Sequence, residues 1–275
     1  MRRMILMTVL VVGCASHIAA QGIEHSLFDR FNFKLEGSAV GMKTSIRLGS
    51  TTLGKGTTLN FEDDLGLDDR KWIPTLSFEW QVSKKQRLAA RWQDLPRGSS
   101  TQILEEIEWG DEIIPIDSRV SLDFQVEQLF FDYTYYPWVK QKWAAGVGLG
   151  FRWMDLLTAL EVDGLEIEDQ LDLSAPLPYV NFEYRRRLGE HWRFKAGLGW
   201  FYLSVGDISG DQWIGRLATE YITDRRWGFG IALNGSAINV DWTGIENPDG
   251  DNELSAGIDM DIHDVSLYVR IRFGS

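Results

Sequence analysis

The sequence has a single cysteine, few histidines and no long apolar run beyond its N-terminus. Cys14 is the cysteine, and the 275 residues include four histidines. If Cys14 leaves with an export signal, disulfides, thiolate nucleophiles and thiol-based metal sites are excluded. Beyond the N-terminus no run of 18 apolar residues occurs. A membrane-spanning helix is therefore excluded, and a closed barrel is the spanning structure that remains.

Positive charge is also scarce. The chain has 28 lysines and arginines against 40 acidic residues, a formal net charge of −12. Phosphate binding needs a basic face, so this balance argues against a nucleic acid as partner. Tryptophan and glycine are abundant instead, with 12 and 27 residues. Both are typical of membrane barrels, in which indoles form girdles at the lipid interfaces and glycines relieve a crowded interior.

The first 20 residues have the pattern of an export signal. Arg2 and Arg3 precede an apolar core, and small residues end at Ala20 before Gln21. We predict a signal peptide over residues 1–20 and one outer-membrane β-barrel domain over residues 21–275. An alternative is open, because residues 11–14 resemble a bacterial lipobox, in which Cys14 becomes lipidated.

The clearest strand covers residues 143–153. Every second position from Trp143 to Trp153 is apolar, and the positions between them hold Ala144, three glycines and Arg152. A period of two indicates a β-strand. Tryptophan prefers the two water–lipid interfaces, and a barrel strand crosses the bilayer in about 9 to 11 residues. We therefore predict lipid on the apolar side of this strand and a crowded lumen on the other.

Similar alternation recurs along the chain and predicts ten strands, with eight or twelve as alternatives. Connections two, four, six and eight are short, one, three, five and nine are long, and the seventh, over residues 206–211, is intermediate. Short periplasmic turns that alternate with long external loops are typical of outer-membrane barrels. The predicted fold is all-β, a transmembrane antiparallel up-and-down β-barrel with long acidic external hairpins. Near Glu127 and Gln128 the apolar positions change from even to odd numbers, which predicts a β-bulge.

The export signal, the ten amphipathic strands and the aromatic last strand together resemble a Gram-negative outer-membrane β-barrel protein, over residues 28–273. This resemblance implies a location in the cell outer membrane, among its lipid and lipopolysaccharide. In that family the last strand carries the signal for the barrel-assembly machinery and usually ends on phenylalanine. The strand from Val265 to Phe273 matches, although Gly274 and Ser275 follow it. We expect a monomer.

Many positions predicted to face the lumen are charged. Charges in a narrow lumen must be paired to offset lost hydration, so we interpret them as a salt-bridged network that plugs the barrel. A narrow selective pore for a small solute is the alternative. The two signs are nearly balanced, so no ionic preference is predicted. The inward charges are Lys34, Glu36, Glu79, Arg91, Asp132, Arg152, Glu183, Arg185, Lys195, Arg216, Glu220, Arg270 and Arg272.

One histidine offers a catalytic alternative. Asp261 and His263 resemble the Asp-x-His pair of the omptins, ten-stranded outer-membrane proteases with an acidic pair opposite. Here Asp63-Asp64 or Asp68-Asp69 would be that acidic pair. A lipid-hydrolysing barrel would need a serine beside the histidine, and Ser266 is near but points inward. We expect a structural or interaction role or a narrow channel, with a hydrolase that uses His263 as the alternative.

The long external connections hold clusters of acidic residues. They lie within residues 105–112, 161–169 and 249–253. Oxygen ligands at this density suit calcium or magnesium, which would bridge to lipopolysaccharide phosphates. No stretch has the full spacing of a twelve-residue calcium loop. We interpret the clusters as a solvated acidic face, and we predict no metal and no cofactor.

Overall fold

A computed structural model describes residues 27–50, 58–103, 107–109, 112–162, 168–223, 226–246 and 253–273. In these ranges no helix is long and apolar enough to cross a membrane. The predicted signal peptide, Cys14 and His25 lie outside the described residues.

The described chain forms ten long strands that pair antiparallel with their neighbours in sequence order. The first and last strands pair with each other from Phe31–Phe273 to Ser50–Leu254, which closes the sheet into a barrel. Three short strands lie in the long connections. The predicted ten-stranded barrel is therefore confirmed. The strands are β1 Phe31–Ser50, β2 Thr58–Asn60, β3 Arg70–Ser83, β4 Gln86–Gln102, β5 Ile107–Trp109, β6 Glu112–Ile114, β7 Arg119–Val139, β8 Trp143–Val162, β9 Glu168–Arg187, β10 Trp192–Val205, β11 Ile208–Ile222, β12 Trp227–Glu246 and β13 Glu253–Phe273.

The outer face of the barrel has an apolar band with tryptophan at both edges. On β8, Val147 and Leu149 point outward, and Leu149 is 66% exposed. Such a face is stable only against lipid, and indoles are enriched where lipid meets water. Tryptophans near the short turns are Trp80, Trp138, Trp143, Trp192 and Trp227, and those at the other edge are Trp72, Trp92, Trp153, Trp200 and Trp213.

Beyond the band, toward the long connections, the two faces exchange polarity. On β1 the outward residues change from Phe33 and Leu35 to Lys43 and Arg47. We call the first part the membrane zone, residues 31–39 on β1 and 265–273 on β13, and the second the external zone, residues 40–47 and 256–263. The interior of the external zone is an apolar core. It includes Val40, Met42, Ile46, Leu95, Val120, Leu122, Phe124, Val126, Leu156, Ile238, Met260 and Ile262.

The β-bulge predicted near Glu127 and Gln128 is wrong. Strand β7 keeps one continuous register with β4 and β8 through these residues. Even-numbered residues of β7 point inward on both sides of this position, from Val120 to Tyr136. A hydrophobic pattern shows only which face is shielded from water. In the membrane zone lipid shields the outer face, and in the external zone the core shields the inner face.

The connection between β1 and β3 folds back over the barrel mouth. Its apolar side chains join the core of the external zone, and the Phe61 ring meets the edge of the Phe124 ring with 5.1 Å between centroids. Glu62 accepts hydrogen bonds from the Thr44 backbone N–H at 2.7 Å and from Arg97 Nη1 at 2.5 Å. The external mouth is thereby filled. The buried residues of this connection are Leu59, Phe61, Leu65 and Leu67.

The wall is lower at β10 and β11 than at their neighbours β9 and β12, because the strands have 14 and 15 residues against 20. The seventh connection is a two-residue turn, Gly206-Asp207, rather than residues 206–211, and Gly206 takes the positive φ of 59° that such a turn favours. The antiparallel backbone pairing of β9 with β10 ends at Val180–Trp200. Immediately before Val180, β9 contains Pro176 and Pro178, which have no N–H to donate to a neighbouring strand.

We expect the exchange of polarity to appear in cysteine labelling of the chain from residue 21, which lacks Cys14. Asp261→Cys and Leu267→Cys lie on the same outward face of β13. In lipid vesicles, a membrane-impermeant maleimide should label position 261 and leave position 267 unlabelled. Met260→Cys should also be protected, because it lies in the core of the external zone. Equal labelling at 260 and 261 would show that water fills the external zone.

We expect Phe124→Ala to lower the free energy of unfolding by about 3–5 kcal/mol, the cost of emptying a large buried site. Phe124 has no exposed surface. The control is Asp123→Asn, which lies on the exposed outer face of the same strand and should change stability by less than about 0.5 kcal/mol. Urea unfolding in vesicles measures both, and similar losses for the two variants would contradict an internal core.

Candidate functional site

The interior of the membrane zone is organised around two buried carboxylates, Glu79 of β3 and Glu183 of β9. Strand alternation turns both inward, and they are 6% and 4% exposed. One oxygen of Glu79 accepts from Lys34 Nζ at 2.9 Å, and the other accepts from Arg185 Nη2 at 2.8 Å. Charged groups at this depth need partners, and here each carboxylate oxygen has one.

Glu183 is bound by residues of β4, β7 and its own strand β9. It accepts from Arg87 Nη2 at 2.6 Å and from Arg185 Nε at 2.5 Å, and the Tyr136 hydroxyl also donates to it. Lys195 Nζ lies 3.0 Å from Glu79 and 3.1 Å from Glu183. Lys195 therefore joins the two carboxylates into one network that crosses the lumen.

A second ion pair, between Glu36 and Arg216, lies closer to the external zone. Glu36 binds Arg216 through both of its oxygens, at 2.9 and 3.0 Å from Nη2. Arg216 Nη1 also donates to Asn234 at 2.9 Å. Asn234 in turn donates to Asp264 at 2.6 Å, and Ser266 donates to the same carboxylate at 2.5 Å. These contacts continue the network around β11, β12 and β13.

The short-turn end of the lumen is closed by the residues before β1. Asp29 pairs with Arg193 at 2.9 Å and contacts Arg270, which also lies 3.4 Å from Glu220. Apolar contacts reinforce this closure, because the Phe28 ring lies edge-on to Tyr136 with 4.9 Å between centroids.

A third group differs because its charges are not paired with each other. Asp132 accepts from the Tyr179 hydroxyl at 2.9 Å and from Asn181 Nδ2 at 3.1 Å, both neutral donors. The guanidinium carbons of Arg91 and Arg152 lie 4.1 and 5.2 Å from the ring centroid of Phe130. Within the described residues, no ion pair is found for either arginine.

A cavity of about 100 Å³ lies beside this group. It exists because small inward residues, Ala89 on β4 and Gly197 on β10, stand where neighbouring positions carry long side chains. A Cβ added at Gly197 would meet only the Phe182 carbonyl oxygen, at 3.9 Å. Charged side chains on its wall are Lys34, Glu79, Arg87, Arg91, Asp132, Glu183, Lys195 and Arg216.

The residues predicted for the lumen network lie on inward positions and form four groups. Glu79, Glu183 and Lys195 meet in the central network. Glu220 and Arg270 meet at the short-turn end. Arg91, Asp132 and Arg152 lie in the group around Phe130, and Arg216 pairs with Glu36. Sequence reasoning omitted Arg87, Arg193, Asp29 and Asp264, although the alternation of β4, β10 and β13 places three of them inward.

Cations outnumber carboxylates in the middle part of the lumen, between the short-turn end and the apolar core. Without the short-turn group of Asp29, Arg193, Glu220, Arg270 and Arg272, and with Arg87 and Asp264 included, the described residues there give seven cations against five carboxylates. Two positive charges are left over. The cations are Lys34, Arg87, Arg91, Arg152, Arg185, Lys195 and Arg216, and the carboxylates are Glu36, Glu79, Asp132, Glu183 and Asp264.

Asp261 and His263 lie on the outer face of the wall. Gly41 of β1 pairs with His263 on one side and with Arg70 of β3 on the other. An added Cβ at Gly41 would lie 2.4 Å from His263 Nε2, so the imidazole lies across this glycine. The strand position beyond Gly41 is the cation Arg70, and Asp69 of the predicted acidic pair directly precedes it, with its carbonyl oxygen accepting from the Met42 N–H at 3.1 Å.

Ser266 is separated from His263 by the wall. Its hydroxyl is completely buried in the interior, where it bonds Asp264 and lies 3.0 Å from the Ser38 hydroxyl. A serine and a histidine on opposite faces of one strand cannot share a proton. The pair required for an acyl hydrolase is not formed by these two residues.

Acidic residues of the external zone stand on its outer face. Burial, followed by the charge of Asp241, raises the pKa of Asp259 above its ordinary value, and Arg47 pairs with Asp241 at 2.9 Å. Among the described residues no group of three metal-ligating side chains is found. Most acidic side chains proposed as cation ligands, within residues 105–112, 163–169 and 249–253, lie outside the described part.

No family model and no curated protein matches the chain. Solved structures do match. The outer membrane protease OmpT of Escherichia coli has a TM-score of 0.56 at 11% identity, over 88% of this chain and 96% of that one. OprG of Pseudomonas aeruginosa has a TM-score of 0.40 at 12% identity, over 91% and 100%. The NalP translocator domain of Neisseria meningitidis has 0.41 at 11%, over 87% and 88%.

At these identities the likeness to OmpT shows the fold alone, and the two lower scores carry no argument. The closed wall of ten strands, the apolar outer band and the tryptophan girdles agree with that fold. The chain has the fold of an outer-membrane β-barrel protein, as its sequence resemblance implied.

We expect Glu183→Gln to lower the free energy of unfolding by about 3–5 kcal/mol, because it removes the carboxylate that the buried Arg87 binds at 2.6 Å and leaves Arg185 with Glu79 alone. Asp241→Asn is the control. Its pair with Arg47 is half exposed, and its loss should cost less than about 1 kcal/mol. Adding Arg87→Met to Glu183→Gln should recover part of the loss. Urea unfolding measures all three, and an equal effect at positions 183 and 241 would refute the network.

Proposed function

We propose that this protein is a closed outer-membrane barrel with a structural or interaction role, performed by the outer surface of the external zone. The observation that supports this function is the interruption of the lumen by side chains at three levels along its length. An open pore needs a continuous path of water, and side chains interrupt that path at three levels.

The first level is the apolar core of the external zone, which Phe61 and the folded-back connection complete. An apolar core of this kind is dry, so ions that cross it would lose their hydration without compensation. The second level is the network of Glu79 and Glu183, which spans the lumen. The third is Asp29 with its arginines, next to Phe28, at the short-turn end.

The external zone offers a rigid polar surface beyond the lipid. Its outer face carries both signs of charge, and its interior is packed as in a water-soluble protein. A partner of the external zone would therefore meet a preformed surface. This favours a structural or interaction role over a function that needs the wall to open.

We further propose how this protein reaches and occupies the outer membrane. Outer-membrane lipid and lipopolysaccharide would contact the apolar band, and export would use residues 1–20. The barrel-assembly machinery would recognise the strand from Val265 to Phe273, whose outward residues are apolar and whose edge closes the barrel against β1. We propose a monomer with the long connections outside the cell.

The narrow channel is the second candidate, because the cavity of about 100 Å³ shows that the membrane zone is not filled everywhere. The geometry around Asp261 and His263 gives the hydrolase alternative no comparable support, so we do not propose an enzyme.

We expect the refolded protein to give no discrete conductance steps in planar bilayers. A porin inserted under the same conditions is the positive control, and faster migration before boiling on a gel verifies that the barrel is folded. Discrete steps that disappear with Gly197→Leu, which fills the cavity, would support the narrow channel and refute the closed barrel.

A further inference from the structure

The middle part of the lumen has two more cations than carboxylates among the described residues. Isolated charges are costly away from water, and a polar neighbour that is neutral hydrates a charge without neutralising it. The surplus therefore points to an anion that is not part of the chain. The pairing of individual residues shows where this anion belongs.

Arg91 and Arg152 are the two cations of this part without a carboxylate within hydrogen-bonding distance, because the other five share Glu36, Glu79 and Glu183. Arg152 has no exposed surface, donates one bond to Gln128, and its Nη1 and Nε have no partner. Arg91 lies on Phe130, and its guanidinium lines the cavity. The carboxylates nearest in the network, Glu36 and Asp264, are occupied by Arg216, Asn234 and Ser266.

The cavity is next to this unpaired charge. Arg91, Lys195 and Arg216 contribute cationic groups to its wall, and Gly197 leaves its far side open. Asp132 also lines it, but its carboxylate is held by Tyr179 and Asn181. This fixed negative charge limits the ligand to a small anion of low charge.

We propose that the cavity beside Arg91 binds a small oxyanion of the carboxylate class. A planar guanidinium binds a carboxylate through two parallel N–H donors, which suits a planar ligand better than a spherical one. A volume of about 100 Å³ accommodates formate or acetate. The site is independent of whether the barrel conducts.

The cavity also lies at the break in the wall. Tyr179 and Gly199 line it, and the pairing of β9 with β10 ends at the neighbouring pair Val180–Trp200. Gln212 Nε2 reaches from β11 to the carbonyl oxygens of Leu177 and Pro178 at 3.2 and 3.3 Å. Because this break gives an anion only a narrow path to the cavity, the protein in the test is refolded with the anion present.

The test is equilibrium dialysis of radiolabelled formate against the folded chain in a non-ionic detergent, with sodium gluconate holding the ionic strength constant. Gluconate is too large for the cavity. We expect one formate per barrel. Arg91→Met should reduce the affinity at least tenfold, and Gly197→Leu should do the same without any change of charge. The matched control, Gly215→Leu, adds the same side chain to the outer face of β11 and should bind as the wild type does.

Thermal unfolding separates this site from a merely structural role of Arg91. The wild-type midpoint should rise with formate, because a ligand of the folded state stabilises it. In gluconate alone, Arg91→Met should unfold at a higher temperature than the wild type, since it removes a buried charge without a partner. A structural arginine would give the opposite sign.

Three results would overturn the proposal. Dialysis could show no bound formate in the wild type, or undiminished binding in both Arg91→Met and Gly197→Leu. Competition could show that chloride displaces formate at equal concentration while acetate does not, which would refute the carboxylate class. Inorganic phosphate is the remaining competitor, and we expect it to compete more weakly because it is larger and carries more charge.

Discussion

The rest of this structure depends on the removal of apolar side chains from water on opposite faces of one continuous wall. In the membrane zone lipid covers Leu149 and its outward neighbours, and in the external zone the barrel interior covers Phe124 and its neighbours. The strands pass from one zone to the other without a change of register. Each strand thus contributes to a membrane barrel at one end and to a water-soluble barrel at the other.

This arrangement determines what the lumen can contain. Inward positions of the membrane zone are the polar half of each strand, so they must be satisfied by one another. Glu79 and Glu183 meet this requirement because cations come to them from strands all around the circumference. Folding the connection between β1 and β3 into the mouth then removes the last apolar surface of the external zone from water. Closure of the lumen follows from both requirements.

The sequence was sufficient to predict where the strands lie and which of their side chains point inward or outward. Trp143 to Trp153 defined one strand and its two environments, and the same alternation located Glu79, Lys195 and the other inward charges. It was not sufficient where the environment changed, because Val120 to Val126 have the same apolar period whether lipid or a core covers them. The ion pairs could not be predicted from the sequence either, since partners such as Lys195 and Glu79 are 116 residues apart. The two-residue turn of the seventh connection depends on the positive φ of Gly206, which the hydrophobic pattern does not encode.

The two ways of closing the lumen differ in cost, and the difference needs a reason. An apolar interior is usually at least as stable as a buried network of charges, so stability alone does not explain the charges of the membrane zone. Strands that were apolar on both faces would expose long uncharged β-segments before the barrel closed, and such segments associate. Inward charges avoid this on the long strands of the membrane zone except β12, whose inward residues there are small or neutral, such as Ala232 and Asn234. That argument accounts for paired charges, but it does not require an excess of one sign. Nor does it explain why Arg91 and Arg152 have no carboxylate partner among the described residues, at the position where a cavity has been left open.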